Sequence, residues 1–341
     1  MESTTLAAVA SGAAAADVDR STGDPPPLLV VRLDDVAPDA ALAADLAAAL
    51  AHPSAPVLGI SDRPVPEGCA PILEALTCTL APAGPGRAWF SPAPGDLDRI
   101  DTTVRRAPRA TLVLEGLLRL TAHVDVDNGL FAESSAYSML LAGPEFLEWI
   151  EARSPRERRA TVDPVIVERE GHSLRITLNR PDRHNAFSAS VRDHLVAGLE
   201  IARHDPTVHE VVLQGRGPSF CAGGDLDEFG TAKDVVMAHL IRTTQSAGRM
   251  VHELRQRVRA DLHGACMGAG IEIPAFAGTV RAAPDTRFRL PELGMGLIPG
   301  AGGTISIPAR IGRWRTAAMA LTGRDFPVAE VRTWGLVDEF C

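Results

Sequence analysis

The chain has 341 residues and an acidic balance, with 34 Lys and Arg against 43 Asp and Glu and a formal net charge of −9 at pH 7. This charge argues against a nucleic-acid-binding protein, because phosphate recognition needs clustered Lys and Arg. The five cysteines form no CxxC pair and no Cys/His ligand spacing, so no metal site or disulfide framework is expected at Cys69, Cys78, Cys221, Cys266 and Cys341.

Residues 1–27 are rich in Ala, Ser and Gly and end in three prolines. This composition predicts a disordered leader, with order beginning near Leu28. The leader has no basic segment before its Ala-rich run, and no apolar run in the chain is long enough to span a membrane. We therefore expect a cytoplasmic protein without a signal peptide or a membrane span.

The region 28–155 begins with alternating predicted elements. Short apolar runs predict strands over 28–35, 55–62 and 76–81, and an Ala- and Leu-rich run predicts a helix over 39–52. From Asp96 to Pro155 the pattern becomes helical and predicts an amphipathic pair of helices, with an apolar face at Leu130, Ser134, Tyr137 and Leu141. Alternating strands and helices predict an α/β region that ends in helices.

The second half opens on a predicted hairpin. Residues 165–170 and 174–180 alternate apolar and polar side chains around the turn residues Gly171 and His172. A helix from about Ser190, a strand over 210–214, a long helix over about 232–257 and a strand over 258–263 follow.

Two glutamates, Glu272 and Glu292, lie beside glycine-rich turns within residues 264–304. The small residues at 268–270 leave the main chain accessible where an apolar run predicts the start of a helix, so their N–H groups can face an anion. A second glycine-flanked turn at 219–226 offers further donors. Two such turns and two carboxylates predict acid/base chemistry at a carbonyl whose oxygen gains negative charge.

Four segments carry a family resemblance. They are NRPDRHNAF (179–187), SFCAGGDL (219–226), HGACMGAGIEI (263–273) and FRLPELGMGLIPGAGGT (288–304). In this order they resemble the motifs of the crotonase superfamily, which comprises enoyl-CoA hydratases and isomerases. The resemblance covers about residues 162–341 and implies an α/β fold with a crotonase-like ββα spiral core.

The resemblance implies a set of catalytic groups. The amides of Gly224 and Ala269 are expected to form an oxyanion hole for a thioester, Glu292 to protonate carbon, and Glu272 to hold and activate water. The leading hypothesis is hydration of a 2-enoyl-CoA to a 3-hydroxyacyl-CoA. Isomerisation, a dehydration in secondary metabolism, and a non-catalytic acyl-CoA-binding partner protein are the alternatives. Each glutamate by itself is more often a helix-start or surface residue.

Coenzyme A is implied as part of the substrate, with no separate cofactor and no metal. By resemblance, Arg183 and His184 face its phosphates, and the adenine contacts the main chain of Ala186, Ala222 and Asp225. A loop arginine that only contacts solvent is an equal alternative for Arg183. Leu226 and Phe229 are expected to line the acyl pocket. The resemblance also implies a homo-oligomer, with a trimer as one option.

A tandem arrangement is a further hypothesis. Crotonase relatives usually carry a helical tail after a WGLV-type segment, and here residues 334–341, WGLVDEFC, are the last of the chain. A similar helical pattern precedes the motif-bearing half. We infer a degenerate crotonase-like copy with a helical tail at 28–155, followed by a catalytic core at 162–341 that lacks one. The alternative is an unrelated α/β domain with a helical linker.

Overall fold

A small parallel sheet begins the fold. The structure is a computed structural model that describes residues 4–11, 28–34, 40–50, 55–153 and 163–341. The strands of this sheet lie in chain order and are β1 (Leu29–Arg32), β2 (Val57–Ile60) and β3 (Cys78–Leu80). Leu29 lies opposite Val57, and Leu58 lies opposite Cys78. Three helices accompany the sheet: α1 (Leu6–Ala10), α2 (Ala40–Ala49) and α3 (Ala70–Ala75). The three predicted strands and the first predicted helix are thus confirmed.

The two faces of this sheet serve different cores. Successive side chains of a strand point to opposite faces, and Val30 of β1 joins the large core that continues through the second half of the chain. Val31, the next residue, packs with Leu46 of α2 in a smaller core. One face of the first sheet therefore belongs to the main core, and Trp314 of the second half packs against both cores.

The leader differs from its prediction. The amide of Thr4 donates to the carbonyl of Val30 (2.8 Å), and Leu6 and Val9 of α1 are buried in the smaller core. The expectation of disorder is therefore wrong for residues 4–11, because two apolar side chains in the Ala-rich run find a tertiary contact. The rest of the predicted leader, residues 1–3 and 12–27, lies outside the described residues.

Four helices follow the first sheet, where the sequence predicted a pair: α4 (Asp96–Arg106), α5 (Pro108–Thr121), α6 (Val126–Leu141) and α7 (Pro144–Glu151). Pro108 and Pro144 occupy first helical positions, where the missing N–H removes no intrahelical bond. Asp125 caps α6 by accepting the amide of Asn128 (2.8 Å). These sequence signals divide the helical region into short, separately capped units.

The second half contains nine strands: β4 (Val165–Glu170), β5 (Ser173–Leu178), β6 (Glu210–Gly215), β7 (Val258–Leu262), β8 (Ala265–Met267), β9 (Thr279–Ala282), β10 (Arg287–Arg289), β11 (Phe326–Pro327) and β12 (Glu339–Phe340). Six form a sheet of order β12-β9-β7-β6-β5-β4, and three form a sheet of order β11-β10-β8. β4 and β5 form the predicted antiparallel hairpin, and β5, β6, β7 and β9 are parallel neighbours.

Seven helices complete this half: α8 (Ala189–His204), α9 (Val235–Thr244), α10 (Ala247–Glu253), α11 (Ala269–Glu272), α12 (Gly303–Ile311), α13 (Arg313–Thr322) and α14 (Val328–Trp334). The long helix predicted over 232–257 is two helices, since Ser246 caps a new one by accepting the amide of Arg249 (3.2 Å). The helix predicted to start beside the small residues at 268–270 has a single α-turn, because Pro274 has no amide to continue it and starts a 3-10 turn.

The helices of the first region pack directly on the second half. α5 and α6 lie against α12, and the hydroxyl of Thr121 donates to the carbonyl of Thr304 (2.7 Å). Gly129 of α6 approaches α12 so closely that a methyl group there would lie 2.7 Å from Cγ1 of Ile305. Within the described ranges, no helix combines the length and apolar character needed to cross a membrane.

The tandem hypothesis stays a prediction. The first region shares with the second a run of parallel strands connected through helices. It differs in its beginning, since β1 pairs with β2 in parallel whereas β4 and β5 form an antiparallel hairpin. The helices of the first region, by contrast, have a defined place: they cover the glycine-rich loops of the second half.

Candidate active site

A cleft of about 710 Å³ lies between the helices of the first region and the glycine-rich turns of the second. This volume is typical of a small-molecule site. The cleft is lined from both halves of the chain, by residues that include Leu130, Glu133, Tyr137, Gly224, Phe229, Arg242, Ala269, Glu272, Glu292 and Ala301. Both predicted carboxylates and both predicted oxyanion-hole residues therefore meet in one cavity.

Glu272 is the last residue of α11 and is only 2% exposed. Its Oε2 accepts the amides of Ala301 (2.8 Å) and Gly303 (3.0 Å). α11 follows Gly268, whose backbone (φ +47°, ψ −121°) is a conformation that only glycine adopts without strain. The glycine thus turns the chain so that a one-turn helix places Glu272 against the loop that contains Ala301.

Glu292 follows β10 and begins the 3-10 turn Glu292–Met295. Its Oε2 is buried and accepts no hydrogen bond from any residue that the structure describes. A methyl group built on Gly268 would lie 2.4 Å from Oε1 of Glu292 and 3.5 Å from Oε1 of Glu272. Both carboxylates therefore face the same side of Gly268, inside the cleft.

Burial perturbs both carboxyl groups. Removal from water raises the pKa of Glu292 to about 8, and Arg289 opposes the rise. Burial and the neighbouring carboxylate of Glu292 raise the pKa of Glu272 well above its usual range, while the amides of Ala301 and Gly303 act in the opposite direction. Two carboxylates facing each other in an apolar site do not both ionise readily, so the pair retains a proton near neutral pH.

Two main-chain amides in the cleft have no acceptor among the residues that the structure describes. The turn after β6 pairs with residue 187, since Phe187 donates to the carbonyl of Gly223 (2.8 Å) and Asp225 donates to the carbonyl of Phe187 (2.9 Å). This pairing leaves the amide of Gly224 without an acceptor among the described residues, and the amide of Ala269 is likewise unpaired. Unpaired amides that line a cavity are available to a ligand oxygen.

A parallel β-bridge between the main chains of Cys221 and Cys266 joins these two turns. Cys221 donates to the carbonyl of Ala265 (3.2 Å) and accepts the amide of Met267 (3.0 Å). A methyl group on Gly270 would lie 2.2 Å from the carbonyl oxygen of Cys221, so only glycine permits this approach. Both Cys221 and Cys266 are buried, and burial raises the pKa of the Cys221 thiol to about 12. A buried thiol with a raised pKa, placed where two turns pair, has a structural role.

The predicted phosphate contacts lie outside the cleft lining. The Arg183 guanidinium contacts the carboxylates of Asp225 (3.4 Å) and Asp227, and the Asp225 carboxylate also pairs with buried Arg180 (2.9 Å). His184 is exposed, and its Nδ1 lies 3.0 Å from the hydroxyl of Ser219. Arg183 is thus part of an ion-pair network, a feature that the sequence did not indicate.

The remaining predicted contacts divide between the surface and the cleft. Exposed Ala222 donates its amide to the carbonyl of His184 (2.9 Å), so the two surface loops are neighbours. The carbonyl of Ala186 accepts Nη1 of Arg180 (2.8 Å). Phe229 lines the cleft, whereas Leu226 is 36% exposed and is not among its lining residues.

A third carboxylate, Glu133 of α6, was not predicted as a site residue. It is 2% exposed; its Oε1 accepts the amide of Gly302 (2.7 Å), and its Oε2 accepts the amide (2.9 Å) and the hydroxyl (2.6 Å) of Thr304. Burial raises its pKa to about 7. The available signal was an acidic residue next to the apolar face that includes Leu130 and Tyr137.

Polar groups of α6 and α9 continue the cleft wall. The Tyr137 ring packs on Gly300, and the Arg242 guanidinium lies 5.3 Å from the centre of that ring. Nε of Arg242 donates to the hydroxyl of Ser134 (3.0 Å). Burial raises the pKa of Tyr137 and lowers that of Arg242. The sequence indicated Ser134 and Tyr137 only as members of a helical face.

Several curated proteins are similar to the second half of the chain. Mevalonyl-coenzyme A hydratase of Beauveria bassiana is 34% identical over 175 residues, which cover 49% of this chain and 62% of that protein. 2,3-Dehydroadipyl-CoA hydratase of Escherichia coli is 32% identical over 175 residues, covering 51% and 68%. 1,2-Epoxyphenylacetyl-CoA isomerase of Escherichia coli is 32% identical over 169 residues, covering 48% and 64%. The chain thus spans about two thirds of the length of these relatives.

The family model described as Enoyl-CoA hydratase/isomerase matches residues 168–341, which is just over half of the chain. The matched region contains Gly224, Ala269, Glu272 and Glu292, the four groups that the fold collects in the cleft. The chain therefore belongs to the enoyl-CoA hydratase/isomerase family of the crotonase superfamily.

Proposed function

We propose that the protein adds water to the double bond of a 2-enoyl-CoA and forms a 3-hydroxyacyl-CoA. The observation that carries this proposal is the position of Glu272 and Glu292, which face one side of Gly268 beside two amides that have no acceptor in the described part of the chain. Hydration needs one group to take a proton from water and another to deliver a proton to carbon. Two carboxylates on the same side of the substrate meet both needs and predict syn addition.

The thioester oxygen is placed between the amides of Gly224 and Ala269. Attack of water on the β-carbon moves negative charge onto this oxygen, and preorganised N–H donors stabilise that charge. One such donor is typically worth about 2.7–4 kcal/mol of barrier. The methyl group of Ala269 leaves its amide hydrogen in place, so a non-glycine residue at this position is compatible with the role.

The two carboxylates carry out the two proton transfers of the hydration. Ionised Glu272 takes a proton from water as the oxygen bonds to the β-carbon, and protonated Glu292 gives its proton to the α-carbon. The proton gained by Glu272 returns to Glu292 before the next cycle, so water is the only net addition. We place the charge on Glu272 because its Oε2 accepts two amides, whereas Oε2 of Glu292 accepts none from the described residues.

Coenzyme A is proposed to lie along the two surface loops that meet where Ala222 donates to the carbonyl of His184. Arg183 is proposed to contact a phosphate, with its guanidinium oriented by Asp225 and Asp227. Main-chain groups of Ala186, Ala222 and Asp225 are proposed to hold the adenine. Phe229 supports an acyl pocket inside the cleft.

A homo-oligomer is also proposed. α6 and α9 pack together and each leaves large apolar side chains exposed, and exposed apolar patches often mark interfaces. These exposed side chains are Phe131, Met139, Val236, Met237 and Leu240. Light scattering coupled to size-exclusion chromatography tests this proposal, and a monomer at micromolar concentration would contradict it.

The function is tested with purified protein and a series of 2-enoyl-CoA thioesters of increasing chain length. We expect loss of the absorbance of the conjugated thioester and a product heavier by one water, with label incorporated from ¹⁸O-water. A Glu272→Gln, Glu292→Gln double variant is the control. A product of unchanged mass with a moved double bond would instead indicate an isomerase, and tight binding without turnover a non-catalytic partner.

A further inference from the structure

We infer that Glu133 is a positioning residue, which fixes the loop at 300–304 and through it holds Glu272 in its catalytic orientation. The first region of the chain would then supply an essential part of the acid/base site as well as covering it. The expected change in kcat rests on the proposed function. The expected change in hydrogen exchange of the loop rests on the loop geometry alone.

Four consecutive main-chain amides donate alternately to the carboxylates of Glu272 and Glu133. Ala301 and Gly303 donate to Oε2 of Glu272, and Gly302 and Thr304 donate to the two oxygens of Glu133. The two carboxylates thus hold residues 301–304 by hydrogen bonds from two sides. Gly302, with φ +102°, has a conformation that favours glycine and lets successive amides point in different directions.

The position of this stretch explains why it needs an acceptor. Gly302 is the N-cap of α12, a nine-residue helix, and Thr304 lies in its first turn. Amides there have no intrahelical partner, and a carboxylate at a helix N-terminus is also favoured by the helix dipole. Without Glu133, two buried amides and the Thr304 hydroxyl would lose their acceptor, and the loop would lose one of its two fixed sides.

Glu133 also acts on the catalytic carboxyls through its charge. It is one cause of the raised pKa of both Glu272 and Glu292. The other groups that face these three carboxyls are Tyr137 on α6, Arg242 on α9, Arg289 on β10 and the Cys221 thiol. Arg242 lowers the pKa of Glu133, and Arg289 lowers that of Glu292. Because the Glu133 charge raises the pKa of both catalytic carboxyls, its removal should shift both downward.

The test compares Glu133→Gln with Glu115→Gln. We expect Glu133→Gln to lower kcat about tenfold to a hundredfold with KM nearly unchanged, because the loss affects orientation and not substrate contacts. The alkaline limb of the kcat profile, set by protonated Glu292, should move to lower pH by about one unit. Hydrogen exchange of the peptide that contains residues 301–304 should become at least about tenfold faster, since one of the two oxygens that accept its amides is replaced by an NH2 group.

Glu115 is a matched control, since it is an equally buried carboxylate of the first region that pairs with Arg119 (2.7 Å) and contacts Arg313 (3.9 Å) away from the cleft. Glu115→Gln should keep the pH profile and the exchange rate of residues 301–304. An equal loss and an equal pH shift in both variants would overturn the inference, because any buried charge would then have the same effect.

If the Glu133→Gln protein does not fold, a second pair of variants tests the same inference. Thr304→Val removes only the hydroxyl that donates to Glu133, and we expect a threefold to tenfold lower kcat and faster exchange, with Thr304→Ser restoring both. Unchanged kcat, pH limb and exchange in the folded variants would overturn the inference. A wild-type protein without turnover would refute the proposed function alone, because the exchange rates would still decide the role of Glu133.

Discussion

Gly268 lies directly against the carboxylate of Glu292: a methyl group on its Cα would approach Oε1 to 2.4 Å. The same methyl group would lie 3.5 Å from Oε1 of Glu272, so a single backbone position separates the two proposed acid/base groups. Gly268 also has a positive φ of +47°. The space between the carboxylates therefore depends on the absence of one side chain.

Replacing Gly268 by Ala should greatly reduce activity. The new methyl group displaces the Glu292 carboxylate and requires a strained backbone, which together should cost about 1–3 kcal/mol of stability. We expect kcat to fall by at least about a hundredfold, as for a misplaced catalytic group. Steady-state kinetics and urea unfolding measure the two effects. Gly294→Ala is the control, since a methyl group there meets open space, and a similar loss in both variants would contradict the argument.

Glu292→Gln should remove the proton donor and keep the shape of the site. We expect kcat to fall about 10²–10⁴-fold, the usual contribution of a positioned general acid, with KM within about threefold of wild type. Rapid-quench kinetics with a 2-enoyl-CoA measures the chemical step. Hydration by Glu292→Gln at the wild-type rate would show that Glu272 handles both protons, and our assignment would then be wrong.

The raised pKa of Glu292 also predicts how stability depends on pH. The folded state keeps the Glu292 proton up to about pH 8, whereas the unfolded chain releases it near 4.5. The folded state thus binds more protons between these values, so this contribution to the free energy of unfolding is complete below pH 4.5 and is lost as pH rises through 8. Glu292→Gln should therefore lie close to wild type at pH 5 and exceed it by on the order of 4 kcal/mol at pH 9.

Urea unfolding of both proteins at pH 5, 7 and 9 measures this difference. Glu168→Gln, at an exposed position of β4, serves as the control for a generic loss of negative charge. A constant difference between Glu292→Gln and wild type across the three pH values would contradict burial as the source of the shift.

The proposed oxyanion donor at Ala269 can be removed without a side-chain deletion. Ala269 is the first residue of α11, a position where proline is tolerated because the amide has no intrahelical partner. Ala269→Pro should lower kcat by about 10²–10³-fold, the typical effect of losing one donor. Ala269→Gly keeps the amide and should retain most activity. Circular dichroism checks that both variants fold, and equal activity of the two would exclude this amide as a donor.

The sequence predicted most of the helices and strands, and the site residues that the second half of the chain contributes. Its four motifs place Gly224, Ala269, Glu272 and Glu292 in the cleft because each lies at the end of a short element with its own turn glycine. Glu133 could not be found in this way, since its partners Gly302 and Thr304 lie about 170 residues further along the chain. A contact across that separation is set by the packing of α6 on α12, which no local pattern encodes.

The packing of α6 on α12 yields a last prediction. A methyl group on Gly129 would overlap Cγ1 of Ile305 at 2.7 Å, whereas one on Gly116 of α5 meets open space. Gly116→Ala should stabilise the protein by about 0.5–1 kcal/mol, the difference in helix propensity. Gly129→Ala gains the same propensity but forces the helices apart, so we expect a net loss of about 1–2 kcal/mol. Glu133 lies one helical turn after Gly129, so Gly129→Ala should also lower kcat, whereas Gly116→Ala should not. Chemical unfolding and steady-state kinetics of the two variants test this, and a stabilised, fully active Gly129→Ala protein would show that the contact between α6 and α12 accommodates the methyl group without moving Glu133.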